Sequence, residues 1–322
     1  MQADNHKDTL SKRSPRRRRW VQYLLLVVGI YVGMSAAIAW NTVRPKRSRH
    51  ETTPLVYDLS YESVRFRSRD GVELSGWLLP TPDMYRPHGR KPPRGIVVLC
   101  HGVDSTRNAM LSVARMLHAR GFATLLFDFR ARGESGGNRC TIGFREVDDL
   151  LAALDFVRDR PDLSDLPVGV LGESMGGAVA IMGAARNPDV AAVVAESPFA
   201  VLTHALDNHF RSAFGPAGPI LGAPARWIGE RLIGCPCDNV APLHEIPQIS
   251  PRPILLIQDA DDRLCPPAET QALMDAARIP KELWTVPDSG HIGARHVQPH
   301  EYQKRVAEFF TRALEPAAVP GI

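Results

Sequence analysis

Three of the four glycines in the stretch VGVLGESMGGAVAIM, residues 168–182, lie within three positions of its one serine. An apolar run precedes Ser174 and an Ala-rich run follows it, which predicts a strand that turns into a helix at this serine. A nucleophilic serine has to project its hydroxyl from such a turn, where main chain approaches main chain closely. Gly172 and Gly176 remove the side chains that would clash there. The pattern predicts a nucleophile at Ser174, and a surface serine in a Gly-rich turn is the alternative.

A serine nucleophile needs a base, and the base needs an acid that orients it. When the serine follows a strand in this way, acid and base come later in the chain, each after a further strand. His291 follows the last strand-like run, ELWTVP, at a turn of small residues. The earlier run PILLIQD leads into a loop with three candidate acids, Asp259, Asp261 and Asp262.

Acyl chemistry also needs two backbone N–H donors for the oxyanion. Met175 follows the serine directly and supplies the first donor. The second is expected from the loop after the apolar run GIVVLC, where Gly102 permits a tight turn and Val103 follows it. His101 precedes the serine in the chain, so we expect it to shape this loop rather than to transfer protons.

Strand-like and helix-like runs alternate from residue 62 onward and would position these groups. SVRFRS and VELSGWLLP flank Asp70-Gly71, which predicts a hairpin. FREVDDLLAALDFVRDR keeps one apolar face at a period near 3.6, as a helix does. A hairpin followed by alternating strands and helices predicts an α/β fold with a doubly wound, mostly parallel sheet.

Roughly 50 residues between AAVVAESPF and RPILLIQD interrupt this alternation. A structureless connection of that length is improbable in a compact domain, so we predict a helical cap over about 200–247. Its helices are expected at Leu206–Phe214 and Ala225–Leu232. Four of its apolar side chains would accommodate the substrate's acyl group: Phe210, Phe214, Trp227 and Ile228.

The segment from Trp20 to Trp40 contains no charged residue and is long enough to cross a bilayer as a helix. We predict a signal-anchor at 20–41 between a basic cytoplasmic tail, 1–19, and a linker, 42–61. Because basic residues before the segment outweigh those after it, the part of the chain that follows the segment, called the body below, is expected on the outer side of the membrane. The alternative is a signal peptide cleaved at Ala37-Ile38-Ala39, which would release a secreted protein.

Composition excludes some functions. Seven of the 39 Lys and Arg and two of the 35 Asp and Glu lie in the first 19 residues, which leaves 32 basic and 33 acidic residues. A body this close to neutral argues against nucleic-acid binding. Five cysteines in a chain of this length do not indicate a disulfide framework, and no ligand set for a metal is apparent. We therefore expect neither a metal nor an organic cofactor.

At Ser174, at His291 and in the loops that carry the other candidate residues, the chain resembles the α/β-hydrolase superfamily, and more narrowly its serine-aminopeptidase-like and bacterial esterase-like branch. The likeness covers residues 62 to about 313 and includes the H-G turn, D-x-R-x-x-G-x-S, G-x-S-x-G and the final G-H. That branch commonly has I-H-G-x-x-D-x-x-V-P in its acid loop, where this chain has IQDADDRLCP. The likeness implies Asp262 as the acid, with Asp259 second and Glu196, after an earlier strand, third.

The expected function is a membrane-anchored serine hydrolase that cleaves acyl esters through an acyl-enzyme on Ser174, with His291 and Asp262. Its hydrolase domain would cover 62–316, with 317–322 as a tail. The partners would be a small acyl ester or amide and, through 20–41, a membrane. A serine aminopeptidase or amide hydrolase and an acyltransferase could use the same triad. A non-catalytic binding protein on this fold is less expected, because the serine, the base, the acid and the glycines are all present.

Overall fold

The protein is described by a computed structural model over residues 15–47, 52–81, 84 and 92–315. The predicted tail at 317–322 and the first 14 residues of the basic tail lie outside these ranges. Within them, eight strands form one sheet, in the order β1-β2-β4-β3-β5-β6-β7-β8. The strands are β1 Glu62–Arg67, β2 Glu73–Leu79, β3 Ile96–Cys100, β4 Ala123–Phe127, β5 Val168–Glu173, β6 Val190–Glu196, β7 Ile254–Asp259 and β8 Lys281–Val286.

The first two strands form the predicted antiparallel hairpin, and β2 is also antiparallel to β4. All other neighbouring strands pair in parallel. In β3, Val98 pairs with Leu125 and Val170, and all three side chains face one apolar layer. The next residue, Leu99, faces the opposite layer, so both faces of the sheet are buried.

Ten helices accompany the sheet in the described part of the chain. They are α1 Pro15–Val43, α2 Leu111–His118, α3 Glu146–Asp159, α4 Met175–Arg186, α5 Leu202–Phe214, α6 Gly218–Ile233, α7 Pro242–Glu245, α8 Pro267–Ala276, α9 Ala294–Val297 and α10 Pro299–Leu314. Helices α3 and α4 contribute to one apolar layer, and α2 and α10 to the other. The predicted α/β class with a doubly wound, mostly parallel sheet is therefore confirmed.

The predicted cap contains two long helices, α5 and α6, which pack against each other. Both begin earlier in the chain than the sequence pattern indicates. Helix α6 runs from Gly218 through Pro224, a residue that normally interrupts a helix because it cannot donate a backbone hydrogen bond. The helix therefore begins seven residues before the predicted start at Ala225.

Helix α1 contains the predicted apolar segment, and its residues Arg18–Val43 are long and apolar enough to cross a membrane. Its first half is exposed, whereas its second half packs against α6. Ala39 and Val43 are buried in that contact, and the Tyr31 hydroxyl donates a 2.6 Å hydrogen bond to the Leu221 carbonyl. The helix is therefore attached to the cap over its last dozen residues.

The chain that leaves α1 is held against the body. The Cys140 N–H donates a 2.7 Å hydrogen bond to the Val43 carbonyl, and the Arg47 guanidinium donates one of 2.5 Å to the Gly137 carbonyl. The same loop reaches the cap, because Arg139 donates to the Leu232 carbonyl at 2.8 Å. This first part of the predicted linker is thus fixed to the body.

Candidate active site

Ser174 lies at the turn between the end of β5 and the start of α4. Its φ of 54° and ψ of −119° are values that residues with a side chain rarely adopt. A Cβ on Gly172 would lie 2.1 Å from the Gly176 carbonyl oxygen, and a Cβ on Gly176 would lie 2.2 Å from that of Cys100. Both obstacles are backbone atoms, so only glycine fits. The turn leaves the serine partly exposed at the carboxyl edge of the sheet.

Three side chains from three loops form one hydrogen-bonded line at this edge. The distance from Asp262 Oδ2 to His291 Nδ1 is 2.6 Å, and that from His291 Nε2 to Ser174 Oγ is 2.8 Å. A carboxylate only accepts hydrogen bonds, so Nδ1 carries the proton and Nε2 is left to accept from the serine hydroxyl. An imidazole held in this tautomer can act as a general base towards Ser174.

The loop after β7 fixes the orientation of the Asp262 carboxylate. Its side chain is fully buried, and its Oδ1 accepts hydrogen bonds from the N–H groups of Leu264 and Cys265 at 2.8 and 2.9 Å. Together with His291, three donors hold one carboxylate, so the acid cannot rotate away from the imidazole.

The other candidate acids bind elsewhere. Asp259 accepts a 2.6 Å hydrogen bond from the Ser197 hydroxyl, and Asp261 accepts one of 2.8 Å from the N–H of Asp288. Glu196 accepts from the N–H of Ala294 at 3.2 Å. Among the candidate acids, the structure brings the Asp262 carboxylate into hydrogen-bond contact with the imidazole.

The predicted oxyanion donors lie on the two segments that flank the serine. Met175 is the first residue of α4, where backbone N–H groups have no partner within the helix. Val103 lies in the turn after β3, and a Cβ on its neighbour Gly102 would lie 3.7 Å from Ser174 Cβ. His101 is fully buried; its Nδ1 lies 2.7 Å from the Gly102 carbonyl, and its Nε2 accepts from the Phe129 N–H at 3.1 Å. His101 therefore stabilises this loop.

An ion pair that the sequence pattern did not indicate lies beside Ser174. Glu173, the residue before Ser174, is buried and forms a salt bridge with Arg295 of α9. Burial of the guanidinium lowers the pKa of Arg295. The pair connects the serine turn to the segment that follows His291. A charged residue inside G-x-S-x-G is the signal that could have suggested it.

A second buried group, Glu196, touches both halves of the site. Its backbone carbonyl accepts a 2.9 Å hydrogen bond from the Ser174 N–H, and its carboxyl accepts from Ala294, three residues after His291. Burial, and then the neighbouring charge of Asp259, raise the pKa of Glu196 well above its usual range, so this carboxyl tends to hold a proton. The sequence predicts Glu196 only as the third candidate acid, after Asp262 and Asp259.

The ligand atoms of Asp262, Cys265 and His291 lie within 4.8 Å of one another, a spacing that a metal ion could use. A metal would bind the thiolate form of the cysteine. Burial, together with the charges of Asp262 and Glu269, raises the pKa of Cys265 well above its usual range, which opposes that form. These residues fit the hydrogen-bonded line better than a metal site.

A small cavity of about 50 Å³ lies between α1 and the cap. Its walls are mostly apolar and include Ile38, Val43, Leu206, Phe210 and Ile233. Of the other cap aromatics expected near the acyl group, Phe214 and Trp227 are each more than half exposed. Sequence periodicity could not assign these faces, because α1 packs against the side of the cap that Phe210 lines.

The family model described as "Serine aminopeptidase, S33" matches residues 91–232. Among solved structures, the esterase Pf2001 of Pyrococcus furiosus superposes with a TM-score of 0.71 and 30% identity, over 84% of this chain and 98% of that one. The uncharacterized protein YfhR of Escherichia coli is 27% identical over 95% of this chain and 98% of its own. The polyketide transferase ATR5 of Stachybotrys chlorohalonatus is 26% identical over 80% of this chain and 99% of its own length.

Replacing the acid tests the assignment within the β7 loop. We expect Asp262→Asn to lower kcat by about ten-thousand-fold, because an amide at this position favours the wrong imidazole tautomer. Asp259→Asn is the matched control, since the same chemical change occurs three residues away and Asp259 binds Ser197 instead. The measurement is kcat for ester hydrolysis by both variants. If Asp259→Asn lost most of its kcat while Asp262→Asn kept a nearly normal one, the acid would be Asp259 and the assignment would be reversed.

Proposed function

The chain belongs to the α/β-hydrolase superfamily, and on that basis we propose that it is a membrane-anchored serine hydrolase that cleaves carboxylic esters. The observation that carries the proposal is the unbroken hydrogen-bonded line from Asp262 through His291 to Ser174. Likeness to an esterase over nearly that protein's whole length supports the ester as substrate class.

In this mechanism the Ser174 oxygen attacks the acyl carbonyl while His291 Nε2 takes the hydroxyl proton. Asp262 stabilises the imidazolium that forms, since its carboxylate already accepts from Nδ1. The carbonyl C–O double bond becomes a C–O⁻ single bond, which the N–H groups of Val103 and Met175 stabilise. As the intermediate collapses, His291 returns the proton to the departing alcohol. Water then repeats these steps on the acyl-enzyme, releases the acid and restores Ser174.

The cap favours an apolar acyl group over an amino terminus. Each of the four cap carboxylates that could bind an ammonium group has a partner within the protein. The pairs are Asp207 with Arg226, Glu230 with the Cys237 N–H, Asp238 with Thr203 and Glu245 with Arg186. An aminopeptidase would need an available carboxylate here, so esters are the better match.

Acyl transfer is the second candidate, and the name of one relative, polyketide transferase, favours it. The same triad forms the acyl-enzyme in both reactions. An acyltransferase then accepts an alcohol or amine in place of water, so the choice depends on the second half of the reaction.

We further propose that α1 is retained as an anchor, with the hydrolase domain on the outer side. The basic residues Arg16–Arg19 precede the apolar segment, and such residues stay on the cytoplasmic side. The apolar stretch of about 21 residues also exceeds the 7–15 typical of a cleaved signal peptide.

Reporter fusions test this topology. In a bacterial host, alkaline phosphatase fused to the C-terminus should be active, because it forms its disulfides only outside the cytoplasm. The control is the same fusion to a chain without residues 1–43, which should be inactive. An inactive reporter on the full chain would contradict the orientation, and a mature N-terminus at Trp40 would contradict retention.

Covalent labelling tests the nucleophile. A fluorophosphonate should label the wild-type protein, and Ser174→Ala should abolish the label while thermal unfolding stays near that of the wild type. Ser197→Ala is the control, because Ser197 is a buried serine with positive φ at the end of the neighbouring strand. Full labelling of Ser174→Ala would disprove the assignment.

A substrate panel separates the candidate reactions. We expect p-nitrophenyl esters to be cleaved faster than aminoacyl p-nitroanilides, because the cap carboxylates already have partners. Adding an alcohol and measuring ester product against free acid distinguishes transfer from hydrolysis. Preferred cleavage of the anilides would favour the aminopeptidase, and dominant ester product the acyltransferase.

A further inference from the structure

We propose that the tip of the cap, residues 212–225, inserts into the membrane beside α1, so that the protein contacts lipid through two separate elements. This inference rests on the anchor proposed above and adds a lipid-binding surface to the hydrolase domain itself. The partner is the hydrocarbon and interfacial region of the leaflet on the hydrolase side.

The register of α1 against α6 is fixed at two positions. Tyr31 is hydrogen-bonded to the Leu221 carbonyl near the start of the contact, and Val43 and Ile233 line the same cavity near its end. Twelve residues separate the two positions on each helix. The helices therefore run side by side in the same direction, and each level of α1 corresponds to a level of α6.

That register sets how deep the tip lies in the membrane. With Trp20 and Trp40 at the two interfaces, the apolar segment spans about 30 Å, the thickness of the hydrocarbon core. Tyr31 lies nine residues before Trp40, which is about 13 Å further in along the axis. Leu221 is bonded to Tyr31 and so lies at the same depth. Because α6 packs alongside α1, the first turn of α6 must lie within the leaflet when α1 crosses the membrane.

The side chains of the tip suit a lipid environment. Residues 212–225 contain no charged side chain, and Arg226 follows them on the body side. The backbone of Arg211 lies against Gly218, so this arginine is at the level of the tip, and its long exposed side chain would extend along the surface towards the headgroups. Phe214, Ile220 and Leu221 are exposed, although burying such side chains is normally favourable. Lipid would cover them at the depth that the register assigns.

Two tryptophans, one on α1 and one on α6, lie at nearly the same level. Trp40 and Trp227 are both about half exposed, and by the register of the helices they lie within about 5 Å of the same height. Each has an arginine one turn closer to the body: Arg44 lies 4.2 Å from the Trp40 ring centroid and Arg231 lies 4.6 Å from that of Trp227. Tryptophan at the membrane interface with arginine on its headgroup side is typical of membrane proteins. The same arrangement occurs here on the anchor and on the cap.

Site-directed fluorescence in liposomes tests the insertion with the full chain. Single cysteines at three positions would carry an environment-sensitive nitrobenzoxadiazole label: Leu25→Cys in α1, Ile220→Cys in the tip and Ile279→Cys on the body. Ile220 and Ile279 are both 77% exposed, so they form a matched pair. The five native cysteines are buried, and the unsubstituted protein gives the labelling background.

In phosphatidylcholine liposomes we expect lipid-borne doxyl groups to quench the labels at positions 25 and 220, and aqueous iodide to quench the label at 279. Quenching of position 220 by iodide, with 25 still quenched by doxyl, would overturn the insertion and leave the anchor intact. Protection of 220 from both quenchers would show a protein partner or a second copy in place of lipid, and would also overturn it. Quenching of position 25 by iodide would remove the anchor and the insertion together, while leaving the triad untouched.

Discussion

Beside Ser174, the backbone at the start of α4 lies so close to the backbone at the end of β3 that no side chain fits between them. The positions of the other site residues depend on this close contact. A Cβ on Gly176 would collide with the carbonyl of Cys100 at the end of β3, so the start of α4 lies directly against the neighbouring strand. The same closeness brings the loop that carries Val103 beside the serine. A positive φ at Ser174 is the local cost of this packing, and the central position of β3 and β5 in the sheet sustains it.

Buried polar groups then hold the histidine loop to the serine turn. Glu173 pairs with Arg295, and Glu196 binds Ser174 through its carbonyl and Ala294 through its carboxyl. Buried ion pairs often contribute little net stability, because removing charge from water is expensive. Their value here is geometric, since they fix two segments that are far apart in the chain at the spacing that a hydrogen bond between His291 and Ser174 needs.

The elements with strong local signals could be predicted, and those that depend on tertiary contact could not. Glycine spacing indicates the turn at Ser174, and apolar runs indicate the parallel strands whose carboxyl ends meet there. The acid was harder, because three carboxylates lie within four residues and strand periodicity ends at Asp259. A turn in which the Asp262 N–H donates to the Asp259 carbonyl decides which one faces the imidazole. The start of α6 was missed because Pro224 normally stops a helix, whereas here packing against α5 and α1 overrides that preference.

The hydrogen bonds that fix the end of α1 to the loop at 137–140 have a mechanical meaning. A hydrolase on a flexible stalk would tumble, and most of its encounters with a bilayer would present the wrong face. For the anchor proposed above, attachment through Val43 and Arg47 would remove this rotational freedom, so that the orientation of the body is fixed when the chain folds. Under that proposal, finding a substrate that diffuses in the same leaflet would become a search in two dimensions, with the tilt and height of the active site set in advance.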